Sequence, residues 1–233
     1  MNHELNKAIE SLILNKPESE SYSTRELNYI RRYDKCEDEG LDLEATLHEI
    51  WKKEQQESPV MVSMGYYGGS CLITHGQSGQ SALLAPSGAN LTIFNNDYFC
   101  HEITKALTSG RPNASTTFEF GTIAEYFFLN GKGIYPQYNT IISHPPRQCD
   151  MAQLDFDERL ADVAQEDARI YYGIRAYEFL ASKGSMYLIV DAKDALKIHQ
   201  RIVEGLAELY EENFDFDVLD GDVETSILRY KKG

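Results

Sequence analysis

Short apolar runs, separated by polar and glycine-containing stretches, dominate the chain from residue 58 onward. Runs rich in Val, Ile, Thr and aromatic residues favour strands. They predict strands at residues 60–62, 91–94, 116–120, 140–142, 185–190, 214–218 and 225–230. Between most of these runs, apolar residues recur every three or four positions, as on one face of a helix. This spacing predicts helices at residues 99–107, 123–127, 168–180 and 198–209, whereas the Gly-, Ser-, Gln- and Ala-rich segment 74–90 fits a poor helix or a loop.

The alternation of strands and helices predicts an α/β fold. We expect a Rossmann-like, mostly parallel sheet of about seven strands with helices on both faces. Asp220-Gly221-Asp222 joins the last two predicted strands and favours a hairpin, which adds one antiparallel element. Earlier in the chain only helical spacing is visible, with a capping-box pattern at Ser23 and Glu26. We therefore predict a helical extension at residues 1–57 that packs on an α/β domain at residues 58–233.

The predicted strand at residues 140–142 ends in a polar tip. His144 is followed by Pro145, Pro146 and Arg147. A proline donates no backbone hydrogen bond, so the strand must end there and leave a stiff dipeptide with two free carbonyls. Ligands of open α/β sheets bind at this carboxyl edge. The tip is therefore either part of a binding site or only a sharp exit from the strand.

A glycine-containing stretch follows the first predicted strand. It consists of Gly65, Tyr66, Tyr67, Gly68 and Gly69. Glycines at a strand end let the backbone approach a ligand closely, and a tight turn is the alternative. The two tyrosines either flank an adenosine ring or form a half-buried aromatic pair.

Two acidic residues accompany the second and third predicted strands. Asp97 follows the strand at residues 91–94, and Glu119 lies in the strand at residues 116–120. Asp97 fits either the hydroxyls of a ribose or the N-cap of the next helix. Because the carboxyl ends of parallel strands share one edge of a sheet, we expect the glycine stretch, Asp97 and the region near Glu119 to line one pocket.

Composition narrows the class of protein. Thirty-seven acidic and 22 basic residues give a net charge of −15, which disfavours unaided binding to a nucleic-acid backbone. No stretch approaches the roughly 18 apolar residues needed to span a bilayer, and the N-terminus lacks a signal-peptide pattern. The four cysteines are widely spaced, as expected for reduced thiols in a cytoplasmic protein. Since no His pair accompanies them at ligand spacing, we expect no metal site.

The order of elements, with an antiparallel last strand, resembles class I S-adenosylmethionine-dependent methyltransferases. More narrowly, residues 58–233 resemble enzymes that methylate adenine N6 in DNA, including the modification subunits of type I restriction systems. Those proteins carry a glycine-rich loop after the first strand, an acidic residue after the second, and an Asp/Asn/Ser-Pro-Pro-aromatic tetrapeptide after the fourth. The resemblance implies S-adenosylmethionine as cofactor, bound by the glycine stretch and Asp97. It implies a catalytic tetrapeptide from His144 to Arg147.

Two substitutions depart from that catalytic pattern. In the family, the first residue and the proline carbonyl accept the N–H bonds of the target amine, and the aromatic residue stacks on the flipped base. A neutral His144 offers one acceptor nitrogen. Arg147 could stack through its guanidinium plane, but less well than a ring and with added charge. We therefore expect weak or absent adenine methylation by the isolated chain.

Three functions remain open at the level of sequence. The first is an active methyltransferase acting on adenine in nucleic acid or on another amine. The second is a methyltransferase-fold protein that has lost catalysis and serves as a binding or regulatory subunit. The third is an α/β protein that binds another nucleotide at the same edge. Because 233 residues leave no separate DNA-recognition domain, we expect sequence-specific recognition of nucleic acid to need a protein partner.

Overall fold

The computed structural model describes residues 3–33, 43–57, 61–62, 66–67, 69–74, 83, 85, 88–109, 115–121, 136–145, 160–210, 214–219 and 225–233. The helices are α1 (His3–Asn15), α2 (Thr24–Ile30), α3 (Leu43–Glu57), α4 (Tyr98–Thr108), α5 (Ala161–Glu166), α6 (Ala168–Glu178) and α7 (Ala195–Tyr210). None of these helices is long and apolar enough to cross a membrane. The helix predicted at residues 123–127 lies outside the described residues.

The strands are β1 (Met61–Val62), β2 (Tyr66–Tyr67), β3 (Ser70–Ile73), β4 (Asn90–Asn95), β5 (Thr116–Phe120), β6 (Tyr138–Ser143), β7 (Leu180–Asp191), β8 (Phe214–Leu219) and β9 (Thr225–Lys232). Seven of them form the main sheet in the order β5-β4-β3-β6-β7-β9-β8. Strands β3 to β7 are parallel, and β9 is antiparallel to both β7 and β8. The predicted seven-stranded, mostly parallel sheet with an antiparallel last strand is confirmed.

The first strand of the main sheet differs from the prediction. Strand β1 pairs with β2 in a separate antiparallel ribbon, in which Met61 faces Tyr67. The main sheet begins instead with β3, where Cys71, Leu72 and Ile73 are all buried. A strand with parallel neighbours on both sides and covered faces is a near-continuous apolar run, and the last three residues of β3 form such a run. The prediction that residues 60–62 form the first strand of the sheet is therefore wrong.

Both faces of the sheet are covered by helices. On one face, Leu72, Phe94 and Ile141 share a core with buried residues of α6 and α7. On the other face, Cys71 and Ile93 share a core with residues of α3. Those α3 residues are Leu47, Ile50 and Trp51. Because successive residues of a strand point to opposite faces, the continuous apolar runs supply both cores at once.

Polar contacts also tie α3 to the sheet. Glu54 is 2% exposed and accepts hydrogen bonds from the hydroxyls of Thr140 on β6 and Tyr187 on β7, both at 2.6 Å. Burial and the neighbouring Glu54 carboxylate raise the pKa of Tyr187. Near the end of α3, the Arg229 guanidinium donates to Glu57 at 2.8 Å. The last helix of the predicted extension thus packs directly on the sheet, and the boundary at residue 57 stays a prediction.

The first two helices pack on α4. Ile9, Ile30, Ile103 and Leu107 belong to one buried cluster. The predicted capping box begins α2: the Ser23 side chain accepts from the Glu26 N–H, and the Glu26 carboxylate accepts from the Ser23 N–H at 2.7 Å. These contacts hold α1 and α2 against α4, the helix that follows β4.

The start of β7 is irregular. The sequence predicts a helix at residues 168–180, but α6 ends at Glu178 and β7 begins at Leu180. Lys183 has a φ of 63°, and the pairing of β6 with β7 shifts register between Tyr138 and Thr140. A Cβ at Gly184 would lie 2.8 Å from the Ala181 carbonyl oxygen and 2.9 Å from that of Asn139. The backbones of β6 and β7 therefore approach each other closely at this glycine.

Replacing Gly184 by alanine is expected to lower the free energy of unfolding by about 1–3 kcal/mol, since backbone atoms must shift to admit the methyl group. Urea denaturation measures the loss. Gly173→Ala is the matched control, because its new Cβ would meet the flexible Cδ1 atom of Ile202 at 2.6 Å rather than backbone. We expect the control to change stability by less than about 1 kcal/mol, as alanine also improves helix propensity. Equal losses in the two variants would contradict the close backbone approach.

Candidate active site at the strand tips

The strand order reverses direction between β3 and β6. From β3 the chain moves outward through β4 to β5, and it then returns to the other side of β3 as β6. In open α/β sheets such a reversal opens a crevice beyond the carboxyl ends of the two strands. The Thr74 N–H donates to the Ile142 carbonyl at 3.1 Å, and its hydroxyl donates to the Ser143 hydroxyl at 2.7 Å. Both side chains are buried, so this pair fixes the two strand tips together.

The first half of the predicted tetrapeptide lies directly at this reversal. His144 and Pro145 follow Ser143, the last residue of β6. His144 is partly exposed, and Pro145 is buried. Pro146 and Arg147 lie outside the described residues. The structure therefore places His144 and Pro145 beside the tip of β3.

Asp97 lies at the same edge, where β4 leads into α4. Its carboxylate accepts from the Cys100 N–H at 2.9 Å and is the N-cap of α4. Nearby, the buried Asn95 side chain donates to the Thr104 hydroxyl at 3.3 Å. The capping role weighed from the sequence is thus observed. The position still lies beyond the carboxyl end of the strand next to β3, where a cofactor would lie.

Glu119 lies one residue before the end of β5, the outer strand on this side. It is in register with Phe94 of β4, and its side chain is exposed. The Gly121 N–H donates to the Asn95 carbonyl at 3.1 Å, which holds the ends of β4 and β5 side by side. The end of β5 therefore shares the carboxyl edge with Asp97, one strand further from the reversal.

Gly69, the last residue of the predicted glycine stretch, lies at the opposite edge of the sheet. Gly69 precedes β3, and its carbonyl accepts from the N–H of Asn90, the first residue of β4. Gly69 is therefore at the amino edge of the sheet, one strand length or roughly 13 Å from the tips. Tyr66 and Tyr67 form β2, and Gly65 and Gly68 lie outside the described residues. The prediction that this stretch follows the first strand of the sheet is wrong, and Gly69 does not join Asp97 in one pocket.

Sequence reasoning missed the segment that does follow the first strand. After Thr74 the chain continues with His75, Gly76 and, three residues later, Gly79. Residues 75–82 lie outside the described part of the chain. The signal was present, because three apolar residues stand directly before a Thr-His-Gly-x-x-Gly sequence. The glycine-containing stretch at residues 65–69 competes with this segment for the same predicted role.

A buried arginine binds three carboxylates at the carboxyl edge of the sheet, beside β7. Arg169, near the start of α6, is 4% exposed. Its guanidinium binds Asp167 at 2.7 Å, Asp191 at 2.6 Å and Asp194 at 3.0 Å. Burial acts to lower the pKa of Arg169, but hydrogen bonds to Asp167 and Asp194 raise it above its ordinary value. The cluster joins the N-terminus of α6 to the carboxyl end of β7, the strand next to β6.

Solved structures with the same fold are methyltransferases. A Listeria monocytogenes protein, provisionally described as a class I S-adenosylmethionine-dependent methyltransferase, matches with a TM-score of 0.56 and 9% identity, over 100% of this chain and 68% of that chain. A Streptococcus mutans protein, provisionally described as SAM-dependent, has a TM-score of 0.52 and 13% identity, over 78% of this chain and 48% of its own. The M. jannaschii tRNA m1G37 methyltransferase has a TM-score of 0.50 and 10% identity, over 81% and 49%.

The chain therefore has the class I S-adenosylmethionine-dependent methyltransferase fold. It spans about half the length of the Streptococcus and M. jannaschii proteins. No protein-family model and no curated protein matches the sequence. The likeness at these identities concerns the fold, so the activity has to be argued from the strand tips.

Proposed function

We propose that this protein binds S-adenosylmethionine and transfers its methyl group to an amine held in the crevice between β3 and β6. The observation that carries the proposal is the Thr74–Ser143 hydroxyl pair, because it fixes a polar tip at the reversal of the strand order. The fold supports the same cofactor, since solved proteins that share it are described as S-adenosylmethionine-dependent.

Residues after β3 in the sequence, and one at the end of β4, could hold this cofactor. The chain that leaves β3 at Thr74 carries Gly76 and Gly79, whose lack of a side chain would let the backbone approach the ligand. At the end of β4, the Asp97 carboxylate has about four acceptor positions, so it could accept from a ribose hydroxyl while it caps α4. When bound, the cofactor would supply an electrophilic methyl group.

The tip of β6 would position the acceptor. One ring nitrogen of neutral His144 and the Pro145 carbonyl could each accept an N–H of the amine. Two acceptors at fixed places would aim the nitrogen lone pair, and orientation of this kind provides much of the rate of a group transfer. Adenine N6 is the acceptor of the enzymes that the tetrapeptide resembles, and a role in DNA modification would require a partner subunit for recognition.

A catalytically inactive subunit is the second candidate. It is favoured by His144 and Arg147, which stand where the resembling enzymes have an Asp, Asn or Ser and an aromatic residue. The two candidates differ in turnover. Cofactor binding without methyl transfer to any tested amine would support the inactive subunit, and transfer to an amine would support the enzyme.

Titration of S-adenosylmethionine by calorimetry tests the cofactor and Asp97 together. We expect the wild-type protein to bind it, and both Asp97→Ala and Asp97→Asn to weaken binding by about 1–3 kcal/mol, because each removes a charged acceptor. Asparagine caps helices about as well as aspartate, so Asp97→Asn is the matched control for the stability of α4. Unchanged affinity in Asp97→Asn would reject Asp97 as a cofactor ligand. Absence of wild-type binding would reject the proposed cofactor.

A further inference from the structure

An open surface cavity of about 510 Å³ lies on the N-terminal helices, and none of its lining residues is one of those at the strand tips. The residues that line it are Leu12, Arg25, Glu26, Asn28, Tyr29 and Arg32. These side chains have no role in the proposed methyl transfer at the strand tips.

Three lining residues of α2 share one helical face. Asn28 and Tyr29 lie three and four positions after Arg25, so their side chains neighbour that of Arg25. Arg32 lies in the turn after α2, which ends at Ile30. The Arg32 N–H donates to the Tyr29 carbonyl at 3.1 Å, which extends the last turn beyond the end of α2. The guanidinium groups of Arg25 and Arg32 and the phenol ring of Tyr29 therefore line the same cavity.

The arginines that line the cavity differ in their contacts from four other described arginines. Four arginines elsewhere are each bound to carboxylates; they are Arg169, Arg175, Arg201 and Arg229. Arg25 and Arg32 are exposed and contact no carboxylate within the described part of the chain. Glu26, the acidic residue of the lining, is already bound to the Lys16 ammonium at 3.0 Å. Arg25 and Arg32 thus form a local basic site in a chain whose net charge of −15 otherwise disfavours contact with a nucleic-acid backbone.

The cavity lies on the side of the molecule that holds Asp97. Tyr33, three residues after the end of α2, packs in one buried cluster with Cys100 in the first turn of α4. Burial, the hydrogen bond to Glu10 and the nearby charges, including that of Asp97, raise the pKa of Tyr33. The C-terminal end of α2 therefore lies beside the N-terminus of α4, which starts at the carboxyl edge of the sheet.

We infer that this cavity binds a single strand of nucleic acid, with one base stacked on Tyr29 and the flanking phosphates on Arg25 and Arg32. Single-strand sites combine an aromatic platform with cationic groups along the backbone. Arginine forks match phosphate oxygens by paired hydrogen bonds. An acidic peptide would satisfy the arginines but would leave the ring without a planar partner. Strand binding requires no methyl transfer, so it is measured without cofactor.

Fluorescence anisotropy with a labelled oligothymidylate of about 12 nucleotides tests the inference. We expect Arg25→Ala/Arg32→Ala to weaken binding at least tenfold and to lower the slope of log affinity against log salt by about 1.4, or roughly 0.7 per lost phosphate contact. Arg201→Ala removes an exposed arginine of α7 that is bound to Glu166 and Glu204. This control is expected to leave the slope unchanged.

Variants of Tyr29 test the stacked base. Tyr29→Phe keeps a ring and is expected to bind like the wild type, whereas Tyr29→Ala is expected to bind roughly 5- to 150-fold more weakly. Thermal unfolding of both variants separates lost binding from lost folding. The inference is overturned if the wild type does not bind the strand, if the arginine pair behaves like Arg201→Ala, or if Tyr29→Ala binds like Tyr29→Phe. Displacement by polyglutamate as readily as by unlabelled strand would point to an acidic peptide instead.

Discussion

Substituting His144 by asparagine and Arg147 by tyrosine is expected to raise adenine N6 methylation by the isolated chain roughly 5- to 150-fold. That factor corresponds to the ~1–3 kcal/mol that a base gains by stacking on an aromatic ring. Asparagine adds a carbonyl acceptor for the amine at the tip of β6, beside the Pro145 carbonyl. Tyrosine supplies a platform for the flipped base and removes a positive charge from it.

Labelled methyl transfer to mixed DNA measures the gain in activity. The two single variants show how much of that gain each substitution contributes. Arg147→Tyr alone should restore stacking, while His144→Asn alone should restore only the orientation of the amine. Both residues act through the same base, so we expect their effects to depend on each other. Robust methylation by the wild type that falls in the double variant would contradict the prediction. It would show that His144 and Arg147 suit a different acceptor.

Replacing Arg169 by methionine is expected to lower the free energy of unfolding by about 3–5 kcal/mol. Methionine retains much of the side-chain volume but leaves the partly buried carboxylates of Asp167, Asp191 and Asp194 facing one another. Removing one partner of a buried ion pair costs that amount because the remaining charges lose their compensation. The effect should be largest at low ionic strength, where repulsion among the three is least screened.

The free energies of unfolding of Arg169→Met and of the control Arg201→Met, measured with denaturant, test this prediction. The Arg201 side chain is 38% exposed in its contact with Glu166, and exposed pairs contribute about 0–1 kcal/mol. Adding Asp191→Asn and Asp194→Asn to Arg169→Met should recover part of the loss, because it removes two of the opposed charges. A loss below about 1 kcal/mol in Arg169→Met would contradict the role of this cluster in joining α6 to β7.

The sequence by itself determined the class of fold. The runs at residues 91–94, 116–120, 140–142 and 225–230 are strands, and the capping box begins α2, because these features depend on neighbours in the chain. Strand propensity and helix caps are local, so the alternation of elements could be read without the tertiary structure. The sequence also predicted that His144 and Pro145 follow directly on a strand, which is β6, the fourth strand of the main sheet in chain order.

Only the tertiary structure decided which apolar run is the first strand. Residues 60–62 and β3 are both short, apolar and next to glycines, and periodicity does not separate a central strand from a small ribbon. The difference lies in their partners: β3 pairs with β4 and β6, whose residues lie far away in sequence. Because β1 is not part of the main sheet, the glycine stretch does not follow the first strand of that sheet, and Gly69 lies at the amino edge. The roles of Glu54 and Arg169 were hidden for the same reason, because a buried charge is recognised by the distant groups that bind it.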